Sequence, residues 1–106
     1  ALRRLAAFQE AGADCLYVPM PGSFADLERI CGAVARPVNA LAAGPFARYS
    51  RADFARAGVA RISLGPALAR LAQRAVRDAG RAMFEAGDFT PLTGAAAGAE
   101  IDRLLG

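Results

Sequence analysis

The stretch Ala11-Gly12-Ala13-Asp14-Cys15-Leu16-Tyr17-Val18-Pro19 decides the fold, because a short apolar run stands between an Ala-Gly pair and a proline. Similar apolar runs occupy residues 37–42 and 60–64, and each stops at Gly or Pro before a helical pattern. Strands that alternate with helices are typical of parallel βαβ units. We therefore predict an α/β fold with three adjacent parallel strands in sequence order, joined by right-handed crossovers.

The intervening segments carry helix signals. Ser23 and Ser50 are placed as N-caps, and Gly12 and Gly87 as helix ends. The predicted helices cover residues 2–11, 24–34, 51–57 and 66–86, with a last short helix over 99–105. The residues predicted to face inward are Leu5, Phe8, Leu27, Ile30, Cys31 and Val34, and on the long helix Leu68, Leu71, Ala75, Ala79 and Met83. Residues 1–87 are interpreted as the α/β part and residues 88–106 as a helical tail.

The predicted sheet is too small to be a complete fold of its kind. Three strands cannot close a barrel, and a parallel sheet requires helices or other protein on both faces. The chain has 106 residues, begins with Ala and is already helical at its start. These features lead us to expect a fragment of a larger fold.

The composition removes several kinds of chemistry. All thirteen basic residues are Arg, and the chain has no Lys, His or Trp, so a Schiff-base lysine and a histidine base or metal ligand are excluded within it. The acidic residues fall mostly on predicted helix surfaces or ends, which predicts neither a catalytic dyad nor a metal site. Cys15 and Cys31 show no metal-binding spacing and are interpreted as buried free thiols of a cytoplasmic protein. No apolar run is long enough for a membrane span.

Arg70, Arg74, Arg77 and Arg81 recur at helical spacing. Such a stripe could bind an acidic partner or nucleic acid. A solvated helix face with Arg74–Asp78 and Arg81–Glu85 pairs is the favoured interpretation, because no aromatic or Gly-rich element accompanies the stripe. No nucleic-acid partner is therefore expected.

Three segments together resemble the C-terminal part of the isocitrate lyase / phosphoenolpyruvate mutase superfamily. They are RLAAFQEAGADCLYVPM (residues 4–20), ARPVNALAAGP (35–45) and GVARISLGPALARLAQRAVRDAGRAMFEAGDF (58–89). The GDF…AEIDRLL ending resembles the tail of the phosphonomutase-like branch. Members of this superfamily are (β/α)8 barrels, so the resemblance implies that the chain supplies strands six to eight with their helices.

The resemblance also implies which parts are absent. The acidic residues that hold Mg²⁺ in the family, and the mobile loop with its Cys in the lyases, belong to the first part of the barrel. The lyases place Glu at the end of strand six and Asn at the end of strand seven, where this chain has Pro19 and Leu41. These differences favour the phosphonomutase-like branch, whose substrates are 2-oxo acids, phosphonates or related carboxylates.

Candidate substrate contacts, Pro19 and Leu41 among them, lie at the carboxyl ends of the predicted strands, where barrel enzymes carry their chemistry. Gly44 and Gly65 stand where backbone N–H groups could approach an anion, although turn glycines have the same sequence. Asn39 is the only Asn and would share the lumen face with Leu41. It is either a substrate contact or part of a buried polar layer, and the second is favoured. Arg61 begins its strand and is interpreted as structural.

Two functions follow as hypotheses. The first is a fragment of a Mg²⁺-dependent enzyme that acts on C–C or P–C bonds of small carboxylates, inactive alone and without bound metal. The second is a non-catalytic half-barrel that assembles with a second copy of itself. Either way, an uncovered sheet face and the helix over residues 66–86 predict a homo-oligomer or pairing with the missing part of a barrel. No catalytic residue is assigned within the chain.

Overall fold

The computed structural model describes all residues 1–106, and the chain divides into two compact units, Ala1–Ala67 and Leu68–Gly106. The division between these units falls at the start of the long helix. The interpretation of residues 1–87 as the α/β part and 88–106 as a tail stays a prediction. The first unit contains α1 (Leu2–Glu10), β1 (Leu16–Tyr17), α2 (Phe24–Ala33), β2 (Val38–Leu41), a 3₁₀ turn (Gly44–Arg48), α3 (Arg51–Arg56) and β3 (Arg61–Ser63). α4 (Ala67–Ala86) begins at the last residue of this unit.

The three strands form one parallel sheet in the order β1-β2-β3, as the sequence predicts. Tyr17 is in register with Asn39, and Asn39 with Arg61. All three strands are shorter than predicted, and β1 has only two residues. The run around Cys15 is therefore apolar enough to enter the sheet but pairs over only part of its length.

The sheet has one covered face, on which α1, α2 and α3 pack. Side chains alternate between the faces of a strand, so the buried residues Leu16, Val38 and Ala40 share a face. They join a single hydrophobic cluster that is completed by Leu5, Leu27, Ile30, Phe46 and Phe54. The opposite face carries Asn39, Leu41, Arg61 and Ser63, and is called the open face below.

Local capping explains where α2 and α3 begin. The Ser23 hydroxyl accepts a hydrogen bond from the Asp26 N–H at 3.1 Å. Ser50 and Asp53 form a reciprocal capping box, in which the Asp53 carboxylate accepts from the Ser50 N–H at 2.7 Å. Both predicted caps are confirmed, and each satisfies backbone N–H groups that a helix start leaves unpaired.

A long-range contact holds the end of α1 near the segment that enters β2. Gln9 Oε1 accepts from the backbone N–H of Ala35 at 2.8 Å and of Arg36 at 3.2 Å. These two N–H groups follow the end of α2, and Pro37 comes directly after them. The side chain thus fixes the turn that directs the chain into the central strand, and the sequence interpretation did not foresee it.

The second unit consists of α4 from Leu68 onward, a 3₁₀ turn over Thr90–Gly94 and α5 (Gly98–Leu105). Within it, Ala75, Ala79 and Met83 of α4 line a cavity of about 420 Å³ together with Pro91, Leu92 and Ala95. None of the residues of α4 or α5 is buried. The tail, predicted as a loop followed by a helix, also contains the 3₁₀ turn over Thr90–Gly94.

Several predicted side-chain environments are wrong. Phe8 is 57% exposed rather than inward, since Leu5 alone anchors α1 in the core. Cys15 is exposed and Cys31 only half-buried, so neither thiol is fully buried. Of the two predicted ion pairs on the long helix, Arg74–Asp78 forms at 3.8 Å and Arg81–Glu85 does not form. Asp78 also pairs with Arg77, at 2.8 Å.

Candidate functional site

The carboxyl ends of the three strands lie at one edge of the sheet, because the strands are parallel. β1 is followed by Pro19 after Val18, β2 ends at Leu41, and β3 ends at Ser63 shortly before Gly65. Parallel sheets place their ligand sites at this edge. The predicted substrate-contact residues Pro19, Leu41, Gly44 and Gly65 are therefore all at the end of the sheet where chemistry is expected.

Leu41 and Gly65 are brought together. Gly65 has φ +53°, a backbone conformation that side-chain-bearing residues rarely adopt. A Cβ at this position would lie 3.3 Å from Leu41 Cδ1. The glycine thus allows the chain to leave β3 and pass close to the end of β2.

Gly44 and Pro19 lie apart from this contact. Gly44 has φ +54° at the first residue of the 3₁₀ turn, and a Cβ there would meet no atom within 4 Å. Pro19 lines a cavity of about 190 Å³ that is shared with Leu5 and Phe8 of α1. Gly44 needs its backbone freedom for the turn itself, and Pro19 borders α1.

Asn39 lies deeper in the sheet and is the one buried polar residue, 4% exposed. Its Nδ2 donates to Ser63 Oγ at 2.9 Å, and Ser63 Oγ donates to the Ala40 carbonyl at 3.2 Å. Asn39 Oδ1 is buried and has no hydrogen-bond partner. Asn39 is therefore buried, as the favoured interpretation of a polar layer expects. Its Nδ2 group is hydrogen-bonded within that layer, whereas its Oδ1 atom is not.

Arg61 is the residue that the sequence interpretation assigned to structure alone. The register places it beside Asn39 on the open face, where it is exposed. It makes no ion pair and no side-chain hydrogen bond in the structure. The signal that could have singled it out is its parity with Asn39 across two strands, which requires the strand register.

An aromatic cluster supports the loops after β1 and β2. Phe24 at the start of α2 stacks on Tyr49 with ring centroids 4.0 Å apart. Phe54 lies 5.7 Å from Phe24 and 6.4 Å from Tyr49, and Phe46 completes the group. Aromatic pairs at these distances are favourable beyond their burial. The cluster joins α2, the 3₁₀ turn and α3, and so holds two of the carboxyl-end loops in place.

A second cavity of about 260 Å³ lies next to the loop after β1. Its lining includes the apolar residues Val18 and Ile30 and the charged residues Asp26 and Arg29. The Asp26 and Arg29 side chains are paired with each other at 2.7 Å. The two charged side chains of this cavity therefore neutralise each other.

Acidic and thiol groups do not assemble into a reactive centre. No three His, Cys, Asp or Glu side chains lie where they could hold a metal ion together. Hydrogen bonds from the Ser50 hydroxyl and N–H, with the Arg56 guanidinium nearby, lower the pKa of Asp53. Burial raises the pKa of the Cys31 thiol, which makes it less reactive. None of the helices combines the length and the apolar character that crossing a membrane requires.

Comparisons with known proteins agree with the sequence resemblance. The family model for phosphoenolpyruvate phosphomutase matches residues 1–84. A crystal structure described as a "putative lyase/mutase from Burkholderia cenocepacia J2315" is similar to the chain, with a TM-score of 0.90 and 36% sequence identity. A search of curated proteins finds no match. The chain therefore belongs to the phosphoenolpyruvate phosphomutase family, within the isocitrate lyase / phosphoenolpyruvate mutase superfamily.

The similarity has unequal coverage. It extends over 98% of this chain but only 37% of the Burkholderia protein. The chain thus spans little more than a third of the length of the protein that it matches.

Proposed function

We propose that the chain forms part of a (β/α)8 barrel enzyme of this superfamily that acts on a C–C or P–C bond of a 2-oxo acid or a related small carboxylate. The observation that carries the proposal is the match of 98% of the chain, at 36% identity, to part of a lyase/mutase-type structure. The parallel order β1-β2-β3, with short loops at the carboxyl edge, is the arrangement that three consecutive barrel strands have.

Magnesium is the cofactor that the family implies, and the residues of this chain do not fit a magnesium site. Mg²⁺ prefers oxygen ligands that include carboxylates. The strand ends carry Pro19, Leu41 and Ser63 but no carboxylate, and no group of three potential metal ligands exists. We therefore propose that any Mg²⁺ ligands of the enzyme come from residues other than these 106.

The contribution of this chain is then to shape and line the substrate pocket. In the proposal, Leu41 and Gly65 form one wall through their close contact, and Asn39 supplies the polar group below them. Pro19 and Gly44 belong to the loops that border the entrance. Each of these groups binds or positions a substrate, and none of them transfers a proton.

Two measurements test the proposal. Calorimetric titration of the 106-residue chain with Mg²⁺, and an assay of pyruvate release from oxaloacetate or phosphonopyruvate, should both give no signal. A chimera in which this chain replaces the matching part of the Burkholderia protein should turn over one of these substrates. Stoichiometric Mg²⁺ binding by the chain alone, or a folded chimera inactive on substrates that its parent converts, would contradict the proposal.

A second candidate function is a non-catalytic assembly module. The observation that favours it is the exposure of the apolar residues of α4, among them Leu68, Leu71, Val76 and Phe84. Exposed apolar helix faces of this kind are usually covered by a partner. The partner in this proposal is a second copy of the chain. The two free thiols, Cys15 and Cys31, support a location in a reducing compartment such as the cytoplasm.

Sedimentation equilibrium shows whether the chain self-associates or stays monomeric. At micromolar concentration the chain should show a mass above 11.0 kDa. The substitution Leu71→Glu should shift it toward the monomer, while Gln73→Glu on the same helix should not. A cooperative, well-folded monomer would contradict both the assembly proposal and the expectation of a fragment.

A further inference from the structure

The unpaired oxygen of Asn39 requires a donor. Asn39 Oδ1 is buried without a partner, and the Ser63 hydroxyl cannot supply one, since its single proton points to the Ala40 carbonyl. An unsatisfied buried acceptor costs roughly 1–3 kcal/mol. A donor from a neighbouring side chain on the open face would remove that cost.

Register leaves two neighbours, Tyr17 on β1 and Arg61 on β3. Tyr17 lines a cavity with Phe8 and Cys15, which places it toward the free edge of the sheet. Arg61 has five N–H donors and uses none of them in an ion pair. Neighbouring strands lie about 4.8 Å apart, a distance that an arginine side chain spans easily. Arg61 is therefore the donor that fits.

We propose that Arg61 and Asn39 together form a binding site for a small oxyanion, a carboxylate or a phosphonate, on the open face of the sheet. In the proposed site, the Arg61 side chain, which makes no hydrogen bond in the structure, turns so that one N–H donates to Asn39 Oδ1 and the remaining N–H groups bind the anion as a planar fork. Asn39 acts as a positioning residue. This inference rests on the proposed function and adds the group that holds the anionic end of its substrate.

The charge of the open face supports an anionic ligand. The strand residues that share this face are Tyr17, Asn39, Leu41, Arg61 and Ser63, and none of them is acidic. A guanidinium that is oriented by a neutral amide keeps its full positive charge, whereas one that is oriented by a carboxylate is neutralised. An amide at position 39 therefore positions the cation and leaves it available.

The test is a titration of the ¹⁵N-labelled chain in metal-free buffer with oxalate and, separately, with methylphosphonate, at constant ionic strength. The Asn39 side-chain amide and the Ser63 backbone amide should show saturable shifts.

Arg61→Gln should weaken binding about tenfold or more, which corresponds to about 1.4 kcal/mol. Arg51→Gln, which removes another exposed cation, from α3, should leave the affinity unchanged. Equal affinity in Arg61→Gln, or an equal loss in both variants, would overturn the proposal. A response to only one of the two anions identifies the class of oxyanion that the site accepts.

The positioning role has its own test in Asn39→Asp, read with methanesulfonate, which stays charged in acid. Near pH 7 the new carboxylate should neutralise Arg61 and weaken anion binding about tenfold, and protonation of that carboxylate in acid should restore it. The titratable or charged groups that flank position 39 on the neighbouring strands are Tyr17 and Arg61. Wild-type affinity at pH 7, or no recovery in acid, would show that Asn39 is only structural.

These outcomes are separable from those of the proposed function, because they need neither Mg²⁺ nor turnover. Anion binding without turnover in the chimera would retain the subsite and reject the enzyme. Turnover by the chimera without a contribution of Arg61 to anion binding would support the enzyme proposal and reject the anion site.

Discussion

The two compact units of this chain differ in what they bury. Ala1–Ala67 contains every buried residue of the chain, whereas Leu68–Gly106 contains none. The contrast does not come from composition, because α4 carries Leu, Val, Met and Phe residues on a clearly amphipathic pattern. It shows that a helical pattern predicts which face of a helix is apolar but not whether the same chain covers that face.

The largest expected effect breaks the core of the first unit. Phe54 is 1% exposed and belongs to the aromatic cluster, so Phe54→Ala should lower the free energy of unfolding by about 3–5 kcal/mol. Phe84 in the second unit is 91% exposed, and Phe84→Ala should change it by less than about 0.5 kcal/mol. Urea unfolding followed by circular dichroism at low protein concentration measures both. Similar losses in the two variants would mean that Phe84 is covered in solution.

A pair of glycines sharpens the comparison. Gly65 combines φ +53° with Leu41 Cδ1 at 3.3 Å from an added Cβ, so Gly65→Ala should destabilise the chain by about 1–3 kcal/mol. Gly80 lies inside α4 with open space around it, and Gly80→Ala should stabilise by about 0.5–1 kcal/mol. The thermal unfolding midpoints should therefore move in opposite directions. A gain at position 65 would show that the turn after β3 differs from the one described.

Removal of one helix cap should have a smaller effect. Ser50→Ala deletes the hydroxyl that accepts from the Asp53 N–H at 3.2 Å and should cost about 1 kcal/mol. Ser50→Thr retains the hydroxyl and is the matched control. Hydrogen exchange of the α3 amides should speed up in the alanine variant alone. Unchanged exchange would argue against the capping box as the feature that fixes the start of α3.

The smallest effects concern two carboxylates, one in each unit. Hydrogen bonds from Ser50 lower the pKa of Asp53, and hydrogen bonds from the Thr90 N–H and hydroxyl lower that of Asp88, both from an ordinary value of 3.8. Because the folded state favours the ionised form, its stabilising contribution is present above that value and is lost as the pH falls through the lower folded pKa. The difference in stability between the wild type and Ser50→Ala should become smaller in this region, because the hydrogen bond from the Ser50 hydroxyl to the ionised Asp53 carboxylate is lost while the cap bond from the Asp53 N–H remains.

The same titration distinguishes the causes at Asp88. Thr90→Val removes the hydroxyl donor and keeps the backbone N–H, which is the larger cause of the shift. The pKa of Asp88, followed by ¹³C NMR of the carboxyl group, should rise only part of the way to its ordinary value. A complete return would show that the hydroxyl alone lowers it.

Much of the first unit was predictable because its signals are local. Ser23 and Ser50 have the residue type and spacing of helix caps, and the apolar runs between Gly and Pro have the length of buried strands. The strand ends were less accurate, since pairing depends on the neighbouring strand as well as on the residue. Phe8 was misassigned because one residue, Leu5, is enough to anchor a short helix and leaves the next apolar side chain outside.

The candidate site was predictable by position but not by chemistry. The sequence pointed to Asn39 and to the strand ends, where Leu41 and Gly65 do meet. It did not reveal that one amide end of Asn39 would be paired with Ser63 and the other left unpaired, nor that Arg61 would stand beside it. Both facts depend on the register between strands that lie more than twenty residues apart.

The sequence by itself determined the fold class, the strand order, the family and the absence of lysine and histidine chemistry, because each follows from residue type, spacing along the chain or likeness to a family. Tertiary structure alone decided which face of the sheet is covered, which apolar residues stay exposed and which polar groups meet on the open face. The physical reason is that helix caps and strand patterns act over a few residues, whereas burial and hydrogen bonding across strands depend on segments that only folding brings together.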